Sequence, residues 1–307
     1  MKYVVTGAAG FIGSHLAEAL QASGHDVVGV DCFSDYYDPG LKEENARGLD
    51  VRRLDLAQDP LAGLLAGADG VFHLAGQPGV RSFGDVFEHY VRRNVLATER
   101  LLEAAAAAGT RVVLASSSSI YGDAEAYPTP ESTPPRPISP YGITKLACEH
   151  LARAYGVGFG LESVVLRYFT VYGPRQRPDM AFTRILRALA EGAPFELYGD
   201  GSRSRGFTFV ADAVAATVAA MELAPAGATL NVGGGGEATM REAIAVCERV
   251  SGRTLDLRTG PEAAGDVRRT AADTSRIRAE LGWSPQVSLE VGLHAQWKWA
   301  VARVGAR

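Results

Sequence analysis

MKYVVTGAAGFIGSHLAEAL, residues 1–20, is the stretch that decides the fold. Residues 3–6 form an apolar strand, glycines follow at Gly7, Gly10 and Gly13, and Phe11 and Ile12 open an amphipathic helix. Strand, glycine turn and helix in that order make a dinucleotide-binding unit. Gly7 permits the tight turn, Gly10 lets the backbone approach a pyrophosphate, and Gly13 lets helix and sheet pack closely, while the helix N-terminus faces the phosphates. The spacing is GxxGxxG rather than GxGxxG.

Outward from this unit, a second strand at residues 26–30 ends in Asp31. A carboxylate there accepts bonds from the adenosine ribose hydroxyls and repels a 2′-phosphate, which favours NAD over NADP. Strand-like runs at 51–54, 70–74, 111–115 and 161–166 alternate with helical patterns. This alternation predicts an α/β Rossmann fold, a doubly wound parallel sheet, with a smaller C-terminal α/β substrate lobe. The expected division is a cofactor domain at 1–168, rejoined by about 207–232, and a lobe made of 169–206 and 233–307. Lobe helices are expected at 181–191, 241–251, 274–281 and 289–301. One long helix is expected over 85–108; Asn94 lies on its apolar stripe and either caps a neighbour or faces the cofactor. The proline-rich stretch 128–140 must be an extended loop.

The chain has 307 residues, 47% of them hydrophobic, enough for one large core and a lesser lobe. A net charge of −4 argues against nucleic acid or an anionic membrane as partner. Cys32, Cys148 and Cys247 are widely spaced, without a CxxC or metal-like cluster, so reduced thiols of a cytoplasmic protein and no metal are expected. The glycine loop at residue 7 leaves no room for a signal peptide's apolar region, and no apolar run approaches membrane length.

Two further stretches carry chemistry. ASSSSIYG, residues 115–122, ends a buried strand in a serine cluster, and SPYGITK, residues 139–145, places Tyr141 and Lys145 one helical turn apart on one face. A free phenol ionises near pH ~10, so a tyrosine acts as a base at neutral pH only beside cations that favour its phenolate. The Lys145 ammonium and a cationic nicotinamide ring together are suited to that, and the pair points to alcohol oxidation.

With the glycine turn, Asp31, ASSSSIYG and YGITK in this order, nearly the whole chain resembles the extended short-chain dehydrogenase/reductase superfamily, and within it the nucleotide-sugar epimerases and dehydratases. The resemblance implies that Ser117, Tyr141 and Lys145 are catalytic, and that Asp55, Leu56, Leu74, Ala75, Gly76 and Asn94 line the cofactor alongside the glycine turn. Dehydratases of this kind carry an Asp-Glu pair where Ser118 and Ser119 stand, and decarboxylases carry a glutamate at Ser119. Simple 4-epimerisation needs no second acid or base, so the serines favour an epimerase.

RYFTVYGPRQRPDMAF, residues 167–182, and the loop DCFSDYYDPGLKEENA, residues 31–46, are most similar to uronic-acid 4-epimerases; UDP-hexose 4-epimerases usually have asparagine at Thr170. Arg177 offers a planar fork for a C6 carboxylate, and Thr170, Ser118 and Ser119 offer hydroxyl donors. Arg205, after the LYGDG motif, resembles the family's diphosphate-binding arginine, and Arg81 and Asp266 are further substrate candidates. The chain departs from the family at Gly206, where aspartate is usual, and before Asp266, where an Arg-Pro-Gly run is replaced by Ala263, Ala264 and Gly265. Arg258, Arg268 or Arg269 would then supply the missing cation.

The resulting expectation is an NAD-dependent 4-epimerase of a UDP-uronic acid, acting as a homodimer through the helices containing Asp85 and Tyr141. A UDP-glucose 4-epimerase, a decarboxylase or 4,6-dehydratase, and a non-catalytic NAD-sensing protein are the alternatives; retention of Ser117, Tyr141 and Lys145 together argues against the last.

Overall fold

A computed structural model describes residues 1–79, 84–261 and 267–305. Seven parallel strands run in the spatial order Thr229–Val232, Ser163–Tyr168, Arg111–Ser117, Gly70–His73, Lys2–Thr6, Asp26–Asp31 and Val51–Arg53. Order reverses on either side of Lys2–Thr6 and Gly70–His73, the crevice where open α/β sheets bind ligands. Helices cover both faces, so Val4, Val5, Val71, Phe72 and Val112 are fully enclosed, as parallel strands require.

The chain leaves this sheet after Tyr168, forms the strand Thr170–Tyr172 and the helix Ala181–Glu191, and returns for Thr229–Val232. Outside the sheet, Ser204–Phe209 pairs with Thr170–Tyr172, Glu237–Thr239 and Arg269–Thr270, while Phe195–Tyr198 pairs with Leu257–Gly260. The helices Ala181–Glu191, Met240–Ser251 and Leu289–Val304 close a separate core around Phe182, Ile185, Ile244 and Leu293.

Two helices differ from expectation. Val210–Leu223 was not anticipated: VADAVAATVAAMEL is apolar nearly all round, so it shows no amphipathic period, and it is buried between sheet and lobe. The single helix expected over 85–108 is instead a 3-10 turn Gly84–Val86, an α turn Phe87–Tyr90, a π-helical stretch Val91–Leu96 and an α-helix Ala97–Ala108. Asn94 sits in the π segment and explains it. Its Oδ1 accepts from Gln77 N at 2.6 Å, and its Nδ2 donates to Gln77 O at 3.1 Å and Thr144 Oγ1 at 3.0 Å. The widened turn seats that amide against the loop and the next helix.

Candidate active site

A cavity of about 760 Å³ opens at the carboxyl ends of the strands, between sheet and lobe. Gly7, Gly10, Phe11, Ile12 and Gly13 form one end of it. The cradle is steric in origin. Gly7 has φ +71°, and a Cβ there would lie 2.8 Å from Ala75 N. A Cβ on Gly13 would lie 2.1 Å from Gly7 O, which no backbone tolerates unshifted. The helix Phe11–Ala22 begins at Gly10 with no side-chain cap and no acid in its first turn, so its amides stay available to an anion. Cavity, uncapped helix end and glycine turn fit the pyrophosphate of a dinucleotide.

Asp31 ends the second strand, buried, with Oδ1 accepting from Phe33 N at 2.8 Å and Oδ2 from Ala9 N at 3.2 Å. Lys42, missed in the sequence, lies beside it on the short helix Pro39–Asn45 and donates to Ser34 Oγ at 2.8 Å. Burial lowers the Lys42 pKa, with Asp31 pulling against that shift. Asp55, Leu56, Leu74, Ala75 and Gly76 complete this wall. Asn94 does not line the cavity; both ends of its amide are consumed by Gln77 and Thr144, so the cofactor-facing role is replaced by a clamp on the loop that does. His73 anchors the same wall between Thr6 Oγ1 at 2.7 Å and Thr98 Oγ1 at 2.9 Å. Complete burial, with the Lys145 charge nearby, pushes the His73 pKa down to about 3, so the ring is neutral.

Tyr141 stands in the first turn of the helix Pro140–Phe159, whose N-cap Ser139 accepts from Gly142 N at 3.1 Å. Lys145 follows one turn later, buried, with Nζ 6.0 Å from the Tyr141 ring centroid and donating to Ala115 O at 2.8 Å. The strand Arg111–Ser117 runs two residues beyond its expected end, because Ser116 and Ser117 still pair with Arg167 and Tyr168. Ser117 Oγ accepts from Ser119 N and donates to Ser119 Oγ at 3.0 Å, capping the 3-10 turn Ser118–Tyr121.

Beneath the serines lies a buried network. Glu149 accepts from Ser116 Oγ at 2.5 Å and from Arg167 Nη2 at 2.8 Å; Arg167 Nη1 donates to Tyr121 Oη at 2.8 Å, and Tyr121 donates to Asn231 Oδ1 at 2.8 Å.

Ser118, Ser119, Thr170, Arg177 and Arg205 also line the cavity. Arg177 Nε and Nη2 donate to Asp179 at 3.0 and 3.1 Å, and Tyr36 Oη donates to the same carboxylate at 3.4 Å. Burial works against the Arg177 charge, but Asp179 outweighs it and holds the pKa above its usual value. Burial first, then Asp179, pushes Tyr36 up to about 12. Arg205 donates to Val267 O at 2.7 Å and Ser204 O at 2.7 Å.

Arg81 and Asp266 lie outside the described residues. The three arginines expected to replace a missing diphosphate ligand do not line the cavity. Arg258 pairs with Asp256, Arg268 with Asp123, and Arg269 with Glu237. Alternation along the strand Arg269–Thr270 is the reason for the last: Thr270 takes the cavity face, so Arg269 takes the other. Arg184 and Arg203 line the cavity instead, with Arg184 stacked 5.2 Å from the Phe195 ring and 5.7 Å from Tyr198. Neither stood out in the sequence, because isolated arginines on a helix or loop resemble ordinary surface charge. Among the described residues, no group of three or more His, Cys, Asp or Glu is placed to hold a metal, and no helix is long and apolar enough to cross a membrane.

The family model for NAD dependent epimerases/dehydratases matches residues 3–233. The chain is 39% identical to a UDP-glucose 4-epimerase of Mycolicibacterium smegmatis over 301 residues, 95% of this chain and 96% of that protein. It is 34% identical to a UDP-glucuronate 4-epimerase of Thermodesulfobacterium geofontis over 310 residues, 97% of this chain and 95% of that one. Its structure superposes, with a TM-score of 0.95 and 40% identity over 99% of this chain and 100% of the other, on UDP-glucuronic acid 4-epimerase from Bacillus cereus in complex with UDP-glucuronic acid and NAD. The match of fold, cradle and sequence over the whole length places this chain in the NAD dependent epimerase/dehydratase family.

Proposed function

We propose that the chain is an NAD-dependent 4-epimerase of a UDP-uronic acid, interconverting UDP-glucuronate and UDP-galacturonate. The observation that carries this reading is the lining of the cavity that holds Tyr141, which includes Arg177, Thr170, Ser118 and Ser119 and has no carboxylic acid at either serine. A guanidinium and hydroxyls suit a C6 carboxylate; water removal would need an acid and a base there. The B. cereus neighbour holding UDP-glucuronic acid and NAD supports the same substrate.

Bound in the glycine cradle, NAD supplies the oxidant that takes the C4 hydride and gives it back. In this reading Tyr141 removes the proton of the sugar 4-hydroxyl, Lys145 steadies the phenolate charge, and Ser117 orients the hydroxyl. Asp31 and Lys42 hold the adenosine ribose. Arg205, with Arg184 and Arg203, faces the UDP phosphates and base. Rotation of the 4-keto sugar then lets both faces of C4 meet the same site. The oxidised uronate is a β-keto acid, and loses carbon dioxide most readily when that bond aligns with the carbonyl π system. Arg177 protects the product by holding the carboxylate out of that alignment.

The helices Ala97–Ala108 and Pro140–Phe159 pack together, Tyr155 Oη donating to Glu99 at 2.8 Å; Ile143 and Val157 on the second, and Phe87, Val91 and Leu96 on the turns before the first, are exposed. These exposed apolar side chains support a homodimer, to be read by sedimentation equilibrium. Three unpaired thiols and an intracellular cofactor support a cytoplasmic location.

Incubation of the purified protein with UDP-glucuronate, and separately UDP-glucose, without added cofactor, tests the function. Appearance of UDP-galacturonate supports it. Reaction of UDP-glucose with UDP-glucuronate untouched would move the assignment to a hexose epimerase, and UDP-pentose would mean that the serines permit decarboxylation. The hexose reading has one observation of its own: Asp179 takes the Nε edge of Arg177.

A further inference from the structure

Arg177 is the cation on which the uronate reading turns, yet its fork is not open. Asp179 occupies the Nε edge with both carboxylate oxygens, and Tyr36, from the loop after the strand Asp26–Asp31, donates to Asp179 from across the cleft. Arg177, Asp179 and Tyr36 all line the cavity. We propose that Asp179 is a built-in counter-ion for Arg177 and sets how strongly the site discriminates charged from neutral sugars. The proposal rests on Arg177 being the group that meets the sugar's C6 substituent.

The pair is partly wet, with Arg177 21% and Asp179 41% exposed, and an ion pair in water adds little stability. A sugar ring filling the cavity changes this, because it expels the water that solvated both charges. If Arg177 stood alone, a neutral hydroxymethyl group at C6 would seal an uncompensated cation beneath it, which is costly. With Asp179 in place, the enclosed pair stays neutral, and a neutral sugar is tolerated. The same carboxylate disfavours a uronate, whose own carboxylate must share the guanidinium and face a like charge. Asp179 therefore narrows the gap between the two substrate classes. A loop staple would act differently, since its loss would weaken both sugars alike.

The test uses the NAD-loaded protein and calorimetric dissociation constants for UDP-glucuronate and UDP-glucose, measured for wild type, Asp179→Asn and Arg177→Gln. Asp179→Asn keeps the shape and removes the charge. It should raise the UDP-glucose to UDP-glucuronate Kd ratio about tenfold, as expected for freeing one charge-assisted hydrogen-bonding site. Asp179→Ser, should the asparagine variant misfold, is expected to move the ratio in the same direction. An unchanged or lower ratio overturns the proposal, as does a wild type that already binds UDP-glucose more than about a hundredfold more weakly than UDP-glucuronate, the full value of an uncompensated site. Arg177→Gln separates the two ideas. If it binds both sugar nucleotides as wild type does, the carboxylate reading itself fails; if it loses UDP-glucuronate while Asp179→Asn leaves the ratio unchanged, only the counter-ion fails.

Discussion

The two ends of the cavity are built by different means. At the cofactor end the shape is backbone: Gly7, Gly10 and Gly13 approach one another and Ala75 so closely that a single added carbon collides with main-chain atoms. At the sugar end the shape is side chain: Ser119, the pair Arg177 and Asp179, and Tyr36 come from three separate segments and are held by hydrogen bonds and an ion pair. Backbone walls cannot drift without refolding, whereas side-chain walls can be exchanged one group at a time. One fold can thus keep a cofactor and change its sugar.

The largest effect is expected where side chains support the sugar end from below. Glu149→Gln would leave the buried Arg167 without its counter-charge, and breaking such a pair costs about 3–5 kcal/mol. Denaturant unfolding should show that loss; a change below about 1 kcal/mol would mean the network tolerates a lone cation. Gly13→Ala attacks the other end. Its Cβ at 2.1 Å from Gly7 O must displace backbone, costing roughly 1–3 kcal/mol and expelling the cofactor. The protein should purify without bound NAD, read by absorbance and by chromatography after acid release. Retention of NAD would break the contrast between the two ends.

Arg177→Ala should lower kcat/KM for UDP-glucuronate by roughly ten- to hundredfold, the value of a charge-assisted hydrogen bond, while leaving the thermal midpoint and NAD content near wild type. A loss of NAD in this variant would show that the two ends are not independent. A last effect shows itself only through pH and concerns His73, whose pKa falls from 6.5 to about 3 on folding. Between these values the unfolded chain holds a proton that the folded one does not. The contribution is therefore complete above pH 6.5 and declines as pH falls, by about 1.4 kcal/mol per pH unit. Unfolding free energies measured from pH 7 to 5 should show this slope, and His73→Gln should remove it.

Legibility followed the same division. The cradle, Asp31 and the Tyr141–Lys145 pair were readable because each depends on residues close in the chain, through a turn, a strand end or one helical turn. Lys42 was hidden in an acidic helix, and only folding brings it to Asp31 and Ser34. Asn94 was visible as an anomaly on an apolar stripe, but its partners Gln77 and Thr144 lie on other elements. The helix Val210–Leu223 escaped because its outward positions, Ala211 and Ala215 among them, are themselves apolar, which erases the period that marks a surface helix. The choice among Arg184, Arg203, Arg258, Arg268 and Arg269 depended on strand faces and local acids, which spacing does not encode.

The amino-acid sequence by itself determined the parallel α/β architecture, the glycine cradle and the placing of Tyr141 and Lys145 one helical turn apart. These follow from local sterics and from periodicities of two and 3.6 residues that act on neighbours. Only the tertiary structure decided which charges meet across the cleft. Tyr36 and Asp179 are 143 positions apart, and Arg303 reaches Glu44 from the far end of the chain. Contacts of that range depend on how whole elements pack, and the energy of a charge depends on what packing leaves around it.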